Sequence, residues 1–184
     1  MWNATAFMIH KNIAITAAHA VYKSECQGLA EKVKITPGKD GYGIWNNPFG
    51  TTLAASIHTS TNYPTNEQPP NDWALIVLED NIGEKTGWLG IGWSNNDFTG
   101  VNITISGYPS SGSYHQYAMG GNVTTCTSTF IYTNTIDTSE GQSGSPMFTS
   151  DYTVCAIYCC GVETDNYGPR ITQAIYNFFL SYIN

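Results

Sequence analysis

The apolar residues of this chain come in short runs, and nearly every run stops at Gly, Pro, Asn or Asp. Such punctuation suits short strands and leaves little room for long helices. Ala6-Phe7-Met8-Ile9 passes through His10-Lys11-Asn12 into Ile13-Ala14-Ile15-Thr16, which reads as a hairpin. Val33-Lys34-Ile35-Thr36 alternates as far as Pro37-Gly38, and a strand resumes over 53–58. Trp73-Ala74-Leu75-Ile76-Val77-Leu78 is the most apolar run and reads as a buried strand. Val101-Asn102-Ile103-Thr104-Ile105-Ser106 alternates before Gly107-Tyr108-Pro109, and further strands are expected over 116–123, 129–134, 146–148 and 153–158. Helical spacing occurs only in the tail, at Ile171, Ala174, Ile175, Phe178 and Phe179. The expected class is all-β, a barrel or sandwich with one C-terminal helix. The Gly- and Trp-rich segment 83–94 marks the boundary between two lobes.

A length of 184 residues supports one domain with a sizeable core, or two small lobes that share an interface. Charged residues make up 11% of the chain, against roughly 25% in an average globular protein. Thr, Ser, Asn, Gly and Tyr stand in their place, a profile of extracellular β-proteins. Seven basic residues against 14 acidic ones give a net charge of −7, so no basic stripe is available for nucleic acid. No apolar run reaches the roughly 18 residues of a membrane-spanning helix. The five cysteines, Cys26, Cys126, Cys155, Cys159 and Cys160, form no paired C-x-x-C knuckles, so neither zinc nor another cofactor is expected. Their odd number leaves at least one thiol outside intramolecular bridges, and spacing does not settle which ones pair.

Three short blocks carry chemistry. Thr16-Ala17-Ala18-His19 ends an apolar strand on a histidine, whose ordinary pKa suits it to accept and return a proton at neutral pH. Asn71-Asp72-Trp73-Ala74 opens a buried strand with a carboxylate that can orient an imidazole, although an Asn-Asp pair after two prolines is also an ordinary turn. Gly141-Gln142-Ser143-Gly144-Ser145-Pro146 flanks a serine with glycines, whose freedom exposes the hydroxyl and can aim neighbouring N–H groups at one point. A hydroxyl nucleophile needs a base, and the base needs an orienting acid. Their order along the chain is His, Asp, Ser.

These blocks, with Ile105-Ser106-Gly107-Tyr108-Pro109 and Ile136-Asp137-Thr138, resemble the bacterial glutamyl endopeptidases, a branch of the trypsin-like serine proteases. The resemblance implies two chymotrypsin-like antiparallel β-barrels. Residues 1–88 would carry His19 and Asp72; residues 89–184 would carry Ser143, the specificity pocket and the terminal helix. Only five residues precede Ala6, so the expectation is either a first lobe that lacks an N-terminal strand or a sequence that is a fragment of a longer chain. The resemblance further implies Ser143 as nucleophile, His19 as general acid and base, Asp72 as its orienter, and the N–H groups of Gly141 and Ser143 as oxyanion hole. Ser145 is expected to be structural. Thr138 matches the family's pocket threonine, whereas Tyr158 stands where the family has a histidine. A tyrosine can donate a hydrogen bond but supplies no positive charge at neutral pH. Asp137 has the spacing of the trypsin pocket aspartate, which hints at basic substrates, but a turn or hydrogen-bonding role away from substrate is the preferred reading. Glu140 at the rim opposes acidic substrates. Gln142 replaces the aspartate that binds a new N-terminal ammonium in trypsins, so that mode of activation is not expected. The adjacent Cys159 and Cys160 follow Tyr158 on the pocket wall, where a vicinal bridge, a bridge to Cys126 or Cys155, and two small buried thiols all stay open. The function expected is a secreted, monomeric serine endopeptidase acting on proteins or peptides through an acyl-enzyme, and the resemblance implies glutamyl specificity, against which Tyr158 and Glu140 speak. The alternative is a non-catalytic extracellular binding module on the same fold.

Overall fold

The computed structural model describes residues 3–26, 28–43, 46–162 and 164–183. Strands Phe7–His10 and Ile13–Thr16 pair as the expected hairpin and continue into a five-stranded sheet through Ala74–Leu78, Thr52–Thr59 and Lys34–Ile35. Side chains alternate across such strands, so one run of sequence serves two cores. Met8, Ala14, Ala74, Ile76 and Leu78 pack with Ala18, Val21, Tyr63 and Ile82 inside the first lobe. Their neighbours Phe7, Ile9, Ile13, Ile15 and Leu75 face the other way. They meet Trp73, Val154, Ile157, Ile171 and, from the terminal helix Gln173–Leu180, Ile175 and Phe179. The helix starts at Thr172, whose hydroxyl accepts from the Ile175 amide. Ile171, counted above in the helical pattern, lies ahead of that cap.

The second lobe has two sheets. One runs in the order Tyr117–Asn122, Asn102–Gly107, Pro146–Phe148, Thr153–Ile157 and Gly90–Ile91; the other joins Thr125–Cys126, Phe130–Thr133, Asn166–Pro169 and Cys160–Gly161. Ile103, Ile105, Val123, Ile131, Ile136, Met147, Cys155, Ala156 and Tyr158 fill the space between them. One pairing departs from the expected antiparallel pattern: Thr153 and Val154 run parallel to Gly90 and Ile91. Six strands of the described residues fall outside the sequence pattern: Tyr22–Lys23, Gly28–Leu29, Gly90–Ile91, Thr125–Cys126, Cys160–Gly161 and Asn166–Pro169. The two strands Cys160–Gly161 and Asn166–Pro169 contain Gly and Pro and do not alternate; Asn166–Pro169 is held by its ladder with Phe130–Thr133, and Cys160–Gly161 by its pairing with Asn166–Pro169. The helical turn Gly83–Thr86 was also unforeseen.

Arg170 fastens the end of this lobe. Its guanidinium is buried and donates to the carbonyls of Ser94, Asn96 and Thr127, which ties the segment between the lobes to the base of the terminal helix. Among the described residues no helix is long and apolar enough to cross a membrane. Cys159 and Cys160 are joined by a vicinal disulfide, while Cys126 and Cys155 are free thiols. Burial pushes the Cys155 thiol up to about 12, so it stays protonated and inert. Iodoacetamide at neutral pH is expected to label Cys126 well ahead of Cys155, and peptide mass spectrometry reads the difference.

Candidate active site

The strand register brings the first two blocks together. Ile13–Thr16 lies antiparallel to Ala74–Leu78 with Thr16 opposite Ala74, so the residues just after Thr16 face those just before Ala74. His19 sits in the turn Ala18–Ala20, and Asp72 ends the turn Pro69–Asn71. The Asp72 carboxylate accepts twice from one residue: from the His19 amide at 2.9 Å and from the His19 ring at Nδ1, 2.6 Å away. A carboxylate accepts and does not donate, so this pairing places the proton on Nδ1 and leaves Nε2 as a free acceptor. The Asp72 side chain is 6% exposed, whereas that of His19 is 40% exposed. The acid is thus shielded from water while the ring can meet another molecule. Tyr63 packs behind; burial, and then the Asp72 charge, hold its phenol well above the usual tyrosine range.

The third block forms a tight loop in the second lobe. Gly141 and Gly144 both have positive φ, +93° and +88°. A β-carbon on Gly141 would lie 2.6 Å from the Ser110 amide nitrogen, and one on Gly144 would strike Thr5 O and Thr16 Oγ1. Only glycine fits either position. The Gln142 amide donates to Ser139 O, that of Gly144 to Tyr158 O, and that of Ser145 to Gln142 O. The Gly141 and Ser143 amides donate to no acceptor among the described residues. Ser145 is fully buried and its hydroxyl donates to Gln142 O at 2.6 Å, a structural role as expected. Gln142 is buried too, and its side-chain oxygen accepts from the Ser139 amide.

Thr5, which the sequence reading passed over, joins the two halves. Its amide donates to Ser143 O at 2.9 Å, and its carbonyl accepts from Thr16 Oγ1 at 2.7 Å. Its hydroxyl donates to Gly141 O at 3.0 Å and accepts from the Tyr108 amide at 2.9 Å. One buried residue therefore touches the serine loop, the strand leading to His19 and the segment after Gly107. No motif could have flagged it, because threonine is common throughout this chain. Thr5→Val keeps the shape but leaves Gly141 O and the Tyr108 amide without this partner. The expected loss is about 1–3 kcal/mol of stability, with a fall in turnover, measured by chemical denaturation and steady-state kinetics.

The Ser143 hydroxyl donates to Cys159 O at 3.4 Å, and no hydrogen bond joins it to the His19 ring. The four expected pocket residues, Asp137, Thr138, Glu140 and Tyr158, separate into two pairs. Thr138 and Tyr158 meet, hydroxyl to hydroxyl, at 2.6 Å. Asn166 completes a cluster with them: its Oδ1 accepts from Thr138 and, at 3.2 Å, from Tyr158, while its Nδ2 donates to Ile136 O at 2.8 Å. Asn166 was missed because it lies on one of the two strands that do not alternate. Asp137 and Glu140 are exposed and share none of these bonds. The Asp137 amide meets Met119 Sδ, and Glu140 O accepts from the Ser110 amide.

The family model described as Trypsin matches residues 1–181. A glutamyl endopeptidase of Bacillus licheniformis is 27% identical over 193 residues, covering 99% of this chain and 60% of that protein. An extracellular metalloprotease of Bacillus subtilis (strain 168) is 26% identical over 181 residues, covering 96% of this chain and 56% of that protein. The chain thus spans somewhat over half the length of these two relatives. A solved Glu endopeptidase, in complex with MPD, superposes with a TM-score of 0.89 at 28% identity, covering 97% of this chain and 84% of that one. The fold is chymotrypsin-like, and the chain belongs to the trypsin family, in its glutamyl-endopeptidase-like branch.

Proposed function

We propose that this chain is a secreted serine endopeptidase that cleaves proteins or peptides through an acyl-enzyme, with Ser143, His19 and Asp72 as its triad. The observation that carries the reading is the double hydrogen bond from His19 to the buried Asp72, which leaves Nε2 free to act as base. Nε2 takes the proton of Ser143 Oγ as that oxygen attacks the carbonyl carbon of the scissile bond. The Gly141 and Ser143 amides stabilise the oxyanion, and the imidazolium then protonates the leaving amine. Water repeats the sequence on the ester and frees the serine. The paired strands Gly90–Ile91 and Thr153–Val154 support a lobe division at residues 88 and 89, because the chain enters the second lobe's sheet immediately beyond it. The acidic balance argues against a nucleic-acid partner, and the low charge content favours an extracellular setting. We take the working unit to be a monomer.

The name of one relative raises a metal-dependent reading. The four histidines stand at His10, His19, His58 and His115, so no two have the four-residue spacing that places a pair of zinc-binding imidazoles on one helix face. The serine reading therefore stands ahead. One observation favours the non-catalytic module, namely the Ser143 hydroxyl turned to Cys159 O. A rotation about one side-chain bond redirects that oxygen, and such rotations are fast.

The pocket cluster argues for an uncharged side chain at the cleavage site over glutamate. Two hydroxyl protons serve three mutually bonded oxygens, on Thr138, Tyr158 and Asn166. The bond from Asn166 Nδ2 to Ile136 O fixes the amide so that its oxygen faces the hydroxyls. Burial holds the Tyr158 phenol above its usual pKa, so it is neutral at physiological pH. A substrate carboxylate would have to break one internal bond to gain a donor, and would meet no cation there. A glutamine amide can instead donate to the remaining lone pairs. Profiling on a peptide library tests both levels. Cleavage of some peptides supports an endopeptidase, and none refutes it. Tyr158→His is expected to raise the Glu-to-Gln ratio of kcat/KM by about tenfold, the worth of one new charge-assisted hydrogen bond.

A further inference from the structure

The vicinal disulfide lies at the triad. Cys159 O accepts from the Ser143 hydroxyl. A carboxylate oxygen of Asp72 and the sulfurs of Cys159 and Cys160 all lie within 4.8 Å of one another. As a staple this bridge has little to offer: the stabilisation from a cross-link grows with the loop it closes, and this one joins adjacent residues. Its sulfurs differ in access, since Cys159 is buried and Cys160 is half-buried.

We infer that the Cys159–Cys160 disulfide masks a thiophilic metal site, and that opening it lets the two sulfurs and the Asp72 carboxylate close on a zinc-group dication and draw Asp72 away from His19. The opening step needs a dithiol. One thiolate of the dithiol attacks Cys160 Sγ, the more accessible sulfur; a mixed disulfide forms and the Cys159 thiolate leaves. The second thiolate of the dithiol then displaces Cys160 and closes the reagent's own disulfide. Two electrons pass to the protein, and the two thiol protons of the reagent end on Cys159 and Cys160. Zinc or cadmium binding releases those protons, so two thiolates and a carboxylate face a doubly charged ion. Zinc–sulfur bonds of about 2.3 Å and zinc–oxygen bonds of about 2.1 Å set tetrahedral ligand atoms roughly 3.5–3.8 Å apart. The carboxylate therefore needs a shift of about an ångström or less. The neighbouring donors do not compete equally. Cys155 keeps its proton because its thiol is pushed up to about 12, and Cys126 belongs to another corner of the lobe, where its sulfur accepts from Arg170.

Capture of the ion does not depend on the chain being a peptidase; the inhibition it causes rests on the role proposed above for Asp72. The test uses the whole chain, oxidised or reduced with dithiothreitol and desalted without air, and cadmium alone as probe. The reduced chain is expected to develop the ultraviolet thiolate-to-cadmium band, saturating at one ion per chain at this site, and Cys160→Ser to weaken that binding by at least tenfold. Cadmium is also expected to shield Cys160 of the reduced wild type from iodoacetamide, a reading that needs no variant. Turnover of a peptide ester by the reduced chain should fall with the band and return with a chelator, while the oxidised chain is unaffected. An unchanged spectrum in the reduced chain, a band equally strong in a folded Cys160→Ser, or unshielded Cys160 would overturn the site. A saturated band with full turnover would overturn its coupling to Asp72. An oxidised chain that turns over nothing would count against the peptidase reading and leave the metal result standing.

Discussion

Ser143→Ala is expected to lower kcat/KM by about a million-fold, the scale of removing a nucleophile from such a triad, while the protein stays as stable as before. The second half of this expectation follows from the contacts. The Ser143 side chain makes one hydrogen bond, of 3.4 Å, to Cys159 O. The links that hold the loop use backbone atoms that alanine retains, among them the bond from the Thr5 amide to Ser143 O. A change of stability within about 0.5 kcal/mol is therefore expected. Steady-state kinetics on any peptide the wild type cleaves, together with denaturant unfolding, separates the two effects. A large loss of stability would mean that Ser143 is a packing residue.

Asp72→Asn should be the second largest loss, about ten-thousand-fold in kcat at neutral pH, with KM little changed. The substitution is nearly isosteric, and the oxygen of the new amide can still accept from the His19 amide as Asp72 Oδ1 does. The other end changes sign. Where Oδ2 accepted from Nδ1 at 2.6 Å, an NH2 group would donate, which moves the ring proton to Nε2 and removes the base that Ser143 needs. The substrate's binding groups are untouched, so the effect belongs to kcat. An equal rise in KM would indicate a pocket distortion instead.

How far the sequence led is visible in single residues. The short apolar runs at Ala6–Ile9, Ile13–Thr16 and Trp73–Leu78 identified the strands that flank His19 and Asp72, because such runs are written locally. The glycines around Ser143 were equally legible, since positive φ leaves its mark on residue type. Thr5, Asn166 and the parallel partner Gly90–Ile91 were not. Each takes its role from a segment far along the chain: Thr5 from Gly141 and Ser143, Asn166 from Thr138 and Tyr158, Gly90 from Thr153. Local pattern does not encode such pairings. The cysteines teach the same lesson, for spacing left the pairing open while the fold joins neighbours beside Asp72. Asp137 shows the reverse: its spacing from Ser143 suggested a pocket floor, yet it is exposed and apart from the Thr138 cluster.

The central claim is that the Ser143 hydroxyl, activated by His19, attacks an electrophile bound in this site. Treating the oxidised chain with a fluorophosphonate and mapping the adduct by mass spectrometry tests it most directly. The account predicts one adduct per chain on Ser143, abolished in Ser143→Ala and greatly slowed in His19→Ala. A folded wild type that takes no label, or a label that persists in Ser143→Ala, would contradict it.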